Sequence, residues 1–143
     1  MKALEIYLNF NGSCADAFEF YEQVFKGEIT FMNKFSEMPP DPNFPVAEEF
    51  ADHIMHATLQ LKPGVIIMGS DTGGREAIIG TNFSISINAD SRDEVNSLYA
   101  ALSEGGEPQM LPSEMFWGSY FGTCRDKFGI NWMFGFDTTT ESQ

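Results

Sequence analysis

"FWGSYFGTCRDKFGINWMFGF", Phe116 to Phe136, interleaves aromatic residues with glycines and carries one charged knot, Arg125-Asp126-Lys127. Both arms alternate, as strands with two unlike faces do. On the first arm Trp117, Ser119, Phe121 and Thr123 fall on one side, and Tyr120 and Cys124 on the other. On the second, Ile130, Trp132 and Phe134 oppose Asn131 and Met133. Asp126-Lys127-Phe128-Gly129 between them has turn composition, with Asp126 and Gly129 as the turn-forming residues, so the stretch reads as a hairpin.

The hairpin closes the second of two similar halves. "NFSISIN" alternates Phe83, Ile85 and Ile87 against Asn82, Ser84, Ser86 and Asn88. In "DSRDEVNSLYAALSEGG" the period changes to helical, with Val95, Leu98, Tyr99 and Leu102 as the apolar stripe. Ser91 and Glu94 have capping-box spacing there, and Gly105 and Gly106 end the run. The first half has the same plan. "LEIYLNF" sets Leu4, Ile6, Leu8 and Phe10 against Glu5, Tyr7 and Asn9. A helix follows, with Ser13 as expected N-cap and Gly27 as its stop. Its stripe is Cys14, Ala17, Phe18, Tyr21, Val24 and Phe25. An offset of 78 carries Tyr21 onto Tyr99, Val24 onto Leu102 and Gly27 onto Gly105, as a duplicated strand-helix-strand unit predicts. Three strand-like runs follow each helix. The expected organisation is one domain over 1–143, built from a module at 1–70, a linker at 71–80 and a module at 81–137. The proline-rich acidic excursion "SEMPPDPNFPVAEEFAD" precedes the strand "IMHATLQL".

Composition narrows the function classes. The chain has 143 residues and a formal net charge of -13, from 21 acids against 8 bases. Such a surface repels a phosphate backbone, which argues against nucleic-acid binding. It favours solubility and admits cationic small molecules. Cys14 and Cys124 lack metal-type or C-x-x-C spacing and read as small buried thiols of a reducing compartment. No run approaches the roughly 20 apolar residues of a membrane span, and the first residues lack a signal-peptide pattern. The expectation is a cytoplasmic protein. No G-x-G-x-x-G turn follows a strand, so dinucleotide or S-adenosylmethionine binding by the usual folds has no support.

Two β-α-β-β-β modules, with "NFNGSCADAFEFYEQVFKGEI", "HATLQL" and "FWGSYFGTCRDKFGINWMF", resemble the vicinal oxygen chelate superfamily of glyoxalase I, bleomycin-resistance proteins and extradiol dioxygenases. Within it the chain is most similar to the PhnB-like branch, labelled 3-demethylubiquinone-9 3-methyltransferase-like. The resemblance implies an α+β fold in which the two modules form a curved mixed sheet. Helices lie on its convex side and a ligand cup on its concave side. Leu4, Ile6, Leu8 and Phe10 are then expected under the helix. Glu5, Tyr7, Asn9, Asn82, Ser84 and Ser86 are expected in the cup, with Met133 and Asn131 beside them, while Trp132 and Phe134 go to the core.

Metal-using members of the superfamily place ligands on the first and last strands of each module. Those positions fall on Glu5, Met68, Asn82 and Met133. One carboxylate, one amide and two thioethers are a poor set for a hard divalent ion. The expectation is therefore a small-molecule-binding protein without a tightly bound metal or other cofactor. Its cup is lined by Tyr7, His56, Gln60, Asn82, Trp117 and Asn131, and Glu5 and His56 are the acid–base candidates for any reaction. His56 earns its place by strand phase, since His56, Thr58 and Gln60 oppose Met55, Ala57, Leu59 and Leu61. Two alternatives differ in class: a metal-dependent lyase or dioxygenase using Glu5 and His56, and a protein that sequesters a cationic drug. The resemblance also implies a homodimer.

Overall fold

The computed structural model describes residues 1–139 and divides into two compact units, Met1–Ile78 and one that begins at Ile79. The first contains β1 (Ile6–Phe10), α1 (Cys14–Phe25), β2 (Glu28–Lys34), β3 (Ile54–Lys62) and β4 (Val65–Asp71). The second contains β5 (Ile85–Asn88), α2 (Arg92–Ser103), β6 (Glu107–Met115), β7 (Ser119–Arg125) and β8 (Asn131–Asp137). Each unit forms a four-stranded mixed sheet, in the orders β1-β4-β3-β2 and β5-β8-β7-β6. The pairs β1–β4 and β5–β8 are parallel and the rest antiparallel. The expected α+β fold and repeated plan are therefore present. The two helices begin and end 78 positions apart, Cys14 to Arg92 and Phe25 to Ser103.

Strand alternation decides which face each helix covers. In the first unit Cys14, Ala17, Phe18 and Tyr21 are buried, as are Leu8, Phe10, Ala57, Leu59 and Ile67 of the sheet. Each of the large apolar side chains among these, the Phe, Leu and Ile residues, contributes roughly 1.5–3 kcal/mol on removal from water. Phe18 lies close to the sheet because position 69 is glycine: a Cβ there would sit 2.9 Å from its ring. In the second unit Val95 and Leu102 are buried together with Cys124, Trp132 and Phe134. The alternation read from "FWGSYFGTCRDKFGINWMFGF" thus assigns Trp132 and Phe134 correctly to the core.

Three local expectations need correction. Leu4 is 89% and Phe83 57% exposed, not under a helix. The ladders start only at Ile6 opposite Ile67 and at Ile85 opposite Trp132. Before those points no pleat assigns a side chain to a face. The left-handed residue ending α1 is Lys26 at φ 54°, one position before Gly27. Ser13 gives α1 no side-chain cap. Asp71, at the end of β4, accepts from the Gly12 and Cys14 backbone N–H groups at 2.7 and 3.1 Å in its place. Ser91 does cap α2, accepting from Glu94 N at 3.1 Å, while the Glu94 carboxylate accepts from Asp90 N.

The Asp126–Gly129 turn is more than a bend. Asp126 is 3% exposed. Its Oδ1 accepts from Phe128 N and Ile130 N at 2.8 and 3.1 Å, and its Oδ2 from Trp132 Nε1 at 2.8 Å. Among the described residues no helix is long and apolar enough to cross a membrane.

Candidate functional site

In the first unit the face away from α1 carries a polar–aromatic row. Register places Tyr7 beside Met68, Met68 beside Thr58, and Thr58 beside Phe31, so all four side chains share that face. His56 lies two positions from Thr58 on the same strand and therefore also faces this way. Tyr7 Oη is 3.3 Å from His56 Nδ1, and His56 Nε2 is 3.1 Å from Thr58 Oγ1. The Tyr7 and Phe31 rings flank the imidazole, with centroids 5.7 and 5.8 Å away. Both are open to solvent, Tyr7 at 44% and Phe31 at 50%.

These contacts orient the imidazole. Each ring nitrogen has a hydroxyl partner that can either donate or accept, so the pair of contacts accommodates either tautomer. His56 is therefore held at both ring nitrogens, as a group that orients a ligand must be. Opposite His56 on β2 stands Asn33, whose buried Oδ1 has no hydrogen-bond partner. A buried acceptor left unpaired is costly, and this oxygen is closed to solvent. Phe31 and Asn33 were absent from the sequence reading. Strand phase within "EITFMNKF" was the available signal, but the irregular register between Ile29 and Phe31 obscures it.

Gln60 is on the same face as His56, opposite Ile66 and Glu28. Glu5 precedes β1, is exposed, and is not brought into contact with His56.

The second unit has its own helix-free face. Ser86, Met133, Thr123 and Met110 form one row by register, and Phe121 lies on the same side as Thr123. Trp117 occupies the turn between β6 and β7 and is 52% exposed. Its ring meets Phe116 edge-on at 5.1 Å and Phe121 at 5.8 Å, which makes an exposed aromatic cluster. Asn82 is exposed in the segment before β5. Asn131 is 6% exposed, and its amide donates to the Gly80 and Phe83 carbonyls at 3.0 and 3.2 Å. Asn131 thus holds the segment that bears Asn82, and its donor group is used in doing so.

The superfamily's metal positions can be judged by their donors. The first unit offers Glu5 and Met68 and the second Asn82 and Met133. Thioethers suit soft ions, and an amide oxygen beside them does not make a site for Zn²⁺, Fe²⁺ or Mn²⁺. Among the described residues no three His, Cys, Asp or Glu side chains are grouped to hold an ion. The residues present do not fit the group.

The cysteines offer no nucleophile. Burial pushes the Cys14 thiol far above its usual value, and the Asp71 charge pushes it further. Burial also raises Cys124, with Asp126 adding to the rise and Ser103 opposing it. Only the thiolate reacts. Native protein at pH 8 is expected to release no thionitrobenzoate from Ellman's reagent on a minutes timescale, and two equivalents in denaturant. Rapid labelling of native protein would contradict this account.

Comparison with known proteins agrees with the architecture. The family model described as 3-demethylubiquinone-9 3-methyltransferase matches residues 2–134. Protein YjdN of Escherichia coli (strain K12) is 31% identical over 136 residues, covering 91% of this chain and 92% of that one. The crystal structure of protein PA1353 from Pseudomonas aeruginosa superimposes with a TM-score of 0.81 at 36% identity, covering 94% and 98% of the two chains. A putative 3-demethylubiquinone-9 3-methyltransferase, PhnB protein, from Bacillus cereus gives a TM-score of 0.76 at 23% identity, with coverage of 94% and 99%. Glyoxalase-related and glyoxalase/bleomycin resistance/dioxygenase proteins share the fold at lower identity.

Proposed function

Since the chain belongs to the 3-demethylubiquinone-9 3-methyltransferase family, the PhnB-like branch of the glyoxalase/bleomycin resistance/dioxygenase superfamily, we propose that it binds a small organic molecule on the helix-free face bearing Tyr7, His56 and Thr58. The hydrogen-bonded chain Tyr7–His56–Thr58, flanked by the half-exposed Tyr7 and Phe31 rings, carries this reading. The rings supply area and the imidazole supplies orientation, the combination that small-molecule sites use. Gln60, on the same face, adds a polar contact for the ligand. The reading includes no tightly held divalent ion, because Glu5, Met68, Asn82 and Met133 are mismatched donors. It also includes a homodimer and a cytoplasmic location.

The acidity of the chain favours a ligand with positive charge, so bleomycin is a suitable first probe. Calorimetric titration is expected to show saturable binding that Tyr7→Phe weakens modestly, by about threefold. His56→Ala is expected to weaken it by about tenfold or more, because Tyr7 and Thr58 lose their shared partner. Binding unchanged in both variants would remove this face from the reading. Elemental analysis of protein purified without chelator is expected to find no stoichiometric metal. One equivalent of Zn, Ni, Fe or Mn, lost on Glu5→Gln or His56→Ala, would instead support a metal-dependent lyase or dioxygenase. Light scattering is expected to give twice the chain mass of 16.0 kDa, and a monomer would overturn the dimer.

A further inference from the structure

The segment "DTGGRE", read above as part of a linker, forms one wall of a second cleft. It lies in the first unit, has a volume of about 240 Å³, and is lined by Asn11, Phe50, His53, Thr72, Gly74, Arg75 and Glu76. Its position follows from topology. Asn11 and Thr72 directly follow β1 and β4, and His53 directly precedes β3, so the cleft sits at the end of this sheet and away from the Tyr7–His56–Thr58 row.

The cleft is held in shape by backbone contacts. Asn11 clamps Ala77 from both sides, its amide donating to Ala77 O at 3.0 Å and its oxygen accepting from Ala77 N at 2.7 Å. Thr72 N donates to Phe10 O at 3.0 Å. Gly74, at φ +119°, lies so close to Phe50 that a Cβ would meet its ring at 3.0 Å. Phe50 in turn stacks edge-on against His53 at 5.2 Å. The walls are thus set before any ligand arrives, which lowers the ordering cost of binding.

The polar groups of the cleft are unspent. Among the described residues neither the Arg75 guanidinium, the Glu76 carboxylate, the His53 ring nitrogens nor the Thr72 hydroxyl takes part in a hydrogen bond or ion pair. A guanidinium, a carboxylate, an imidazole and a hydroxyl therefore surround a space whose apolar wall is Phe50. The space is well beyond that of a single water and takes a small organic molecule. A dianion such as phosphate meets only one guanidinium and is opposed by Glu76 and by a chain of net charge -13. A zwitterion of the same size escapes that opposition.

We propose that this cleft binds a small apolar amino-acid zwitterion. Its carboxylate is received by Arg75 and Thr72, its ammonium group by Glu76, and its side chain by Phe50. Arg75 is suited to the carboxylate because its planar fork can make two parallel bonds. The site goes beyond the ligand proposed for the Tyr7–His56–Thr58 face and is tested separately from it.

L-leucine titrated into ¹⁵N-labelled protein is expected to shift the amides of Thr72 to Glu76 saturably, with a Kd between about 10 µM and 1 mM. Isovalerate, which keeps the carboxylate and the apolar chain, is expected to bind about tenfold more weakly, as are isopentylamine and inorganic phosphate. Arg75→Gln and Glu76→Gln, both on exposed side chains, are each expected to weaken leucine by about tenfold while leaving the thermal midpoint unchanged. The double variant Tyr7→Phe, His56→Ala is expected to keep leucine binding. The proposal is overturned by any of four results. These are no saturable shift up to about 20 mM leucine, isovalerate or phosphate binding as tightly as leucine, undiminished binding in both charge variants, or loss of binding in the Tyr7/His56 double variant.

Discussion

Asp126→Ala is expected to destabilise the second unit by about 3–5 kcal/mol, because it leaves two backbone N–H groups and the Trp132 indole N–H without their acceptor in a buried setting. The carboxylate is at the root of the β7–β8 hairpin and reaches the indole two strand positions beyond it. It therefore couples the turn to the core residue that α2 covers. The two tryptophans of the chain, Trp117 and Trp132, are both in this unit, so fluorescence reports its unfolding in urea directly. Asp126→Asn keeps the shape and one oxygen but turns an amide donor toward another donor, and is expected to cost about 1–3 kcal/mol. A loss within about 1 kcal/mol for Asp126→Ala would mean that solvent satisfies these donors and that the turn holds itself.

Asp71→Ala is expected to cost the first unit a comparable 3–5 kcal/mol or so by the same reasoning. Asp71 is 2% exposed and accepts from Gly12 N and Cys14 N through Oδ1 and from Ile54 N through Oδ2, the last at 2.8 Å. It joins the end of β4 to the start of β3 and to the first turn of α1. Because Ser13 provides no cap, α1 has no local replacement for it. The expected readouts are loss of far-UV dichroism at lower urea and accelerated exchange of the Gly12, Cys14 and Ile54 amides. Cys14 should also become accessible to Ellman's reagent, since losing its backbone anchor undoes the burial that chiefly raises its thiol, and the Asp71 charge that adds to the rise is gone as well. Unaltered exchange at Gly12 and Cys14 would show that the helix start does not depend on this carboxylate.

The two carboxylates show where the repeat stops being informative. Asp126 lies in the turn after the third strand of its module, whereas Asp71 ends the last strand of its own. The 78-residue offset that carries one helix onto the other does not carry one carboxylate onto the other. Turn composition marked Asp126, because Asp before a Gly-ended bend is a local signal. Nothing near Asp71 indicates that it caps a helix starting 57 residues earlier.

Parts of the candidate site were legible for a similar reason. Phase alone put Tyr7, His56, Thr58 and Gln60 on one side, because alternation is a property of each strand by itself. It failed at Leu4 and Phe83, where the residues alternate but no neighbouring strand continues the ladder. Asn131 illustrates a different limit. Phase assigned it a face, but it is the chain returning to Gly80 and Phe83 that engages its amide.

The family, the two-module α+β plan, the helix positions and, within the ladders of β1, β3, β5, β7 and β8, the side that faces a helix were all legible in the residues alone. These follow from periodicity and from residues adjacent in the chain, where the backbone imposes geometry without help. The fold settled which polar groups are paired and which remain free. It joined Tyr7 to His56 across 49 residues and turned Asp71 into a helix cap. It also brought Asn11 and His53 to "DTGGRE" to form a cleft. Hydrogen bonds between distant segments depend on strand order and register, and those are settled when the sheet closes its ladders, not by any local run of residues.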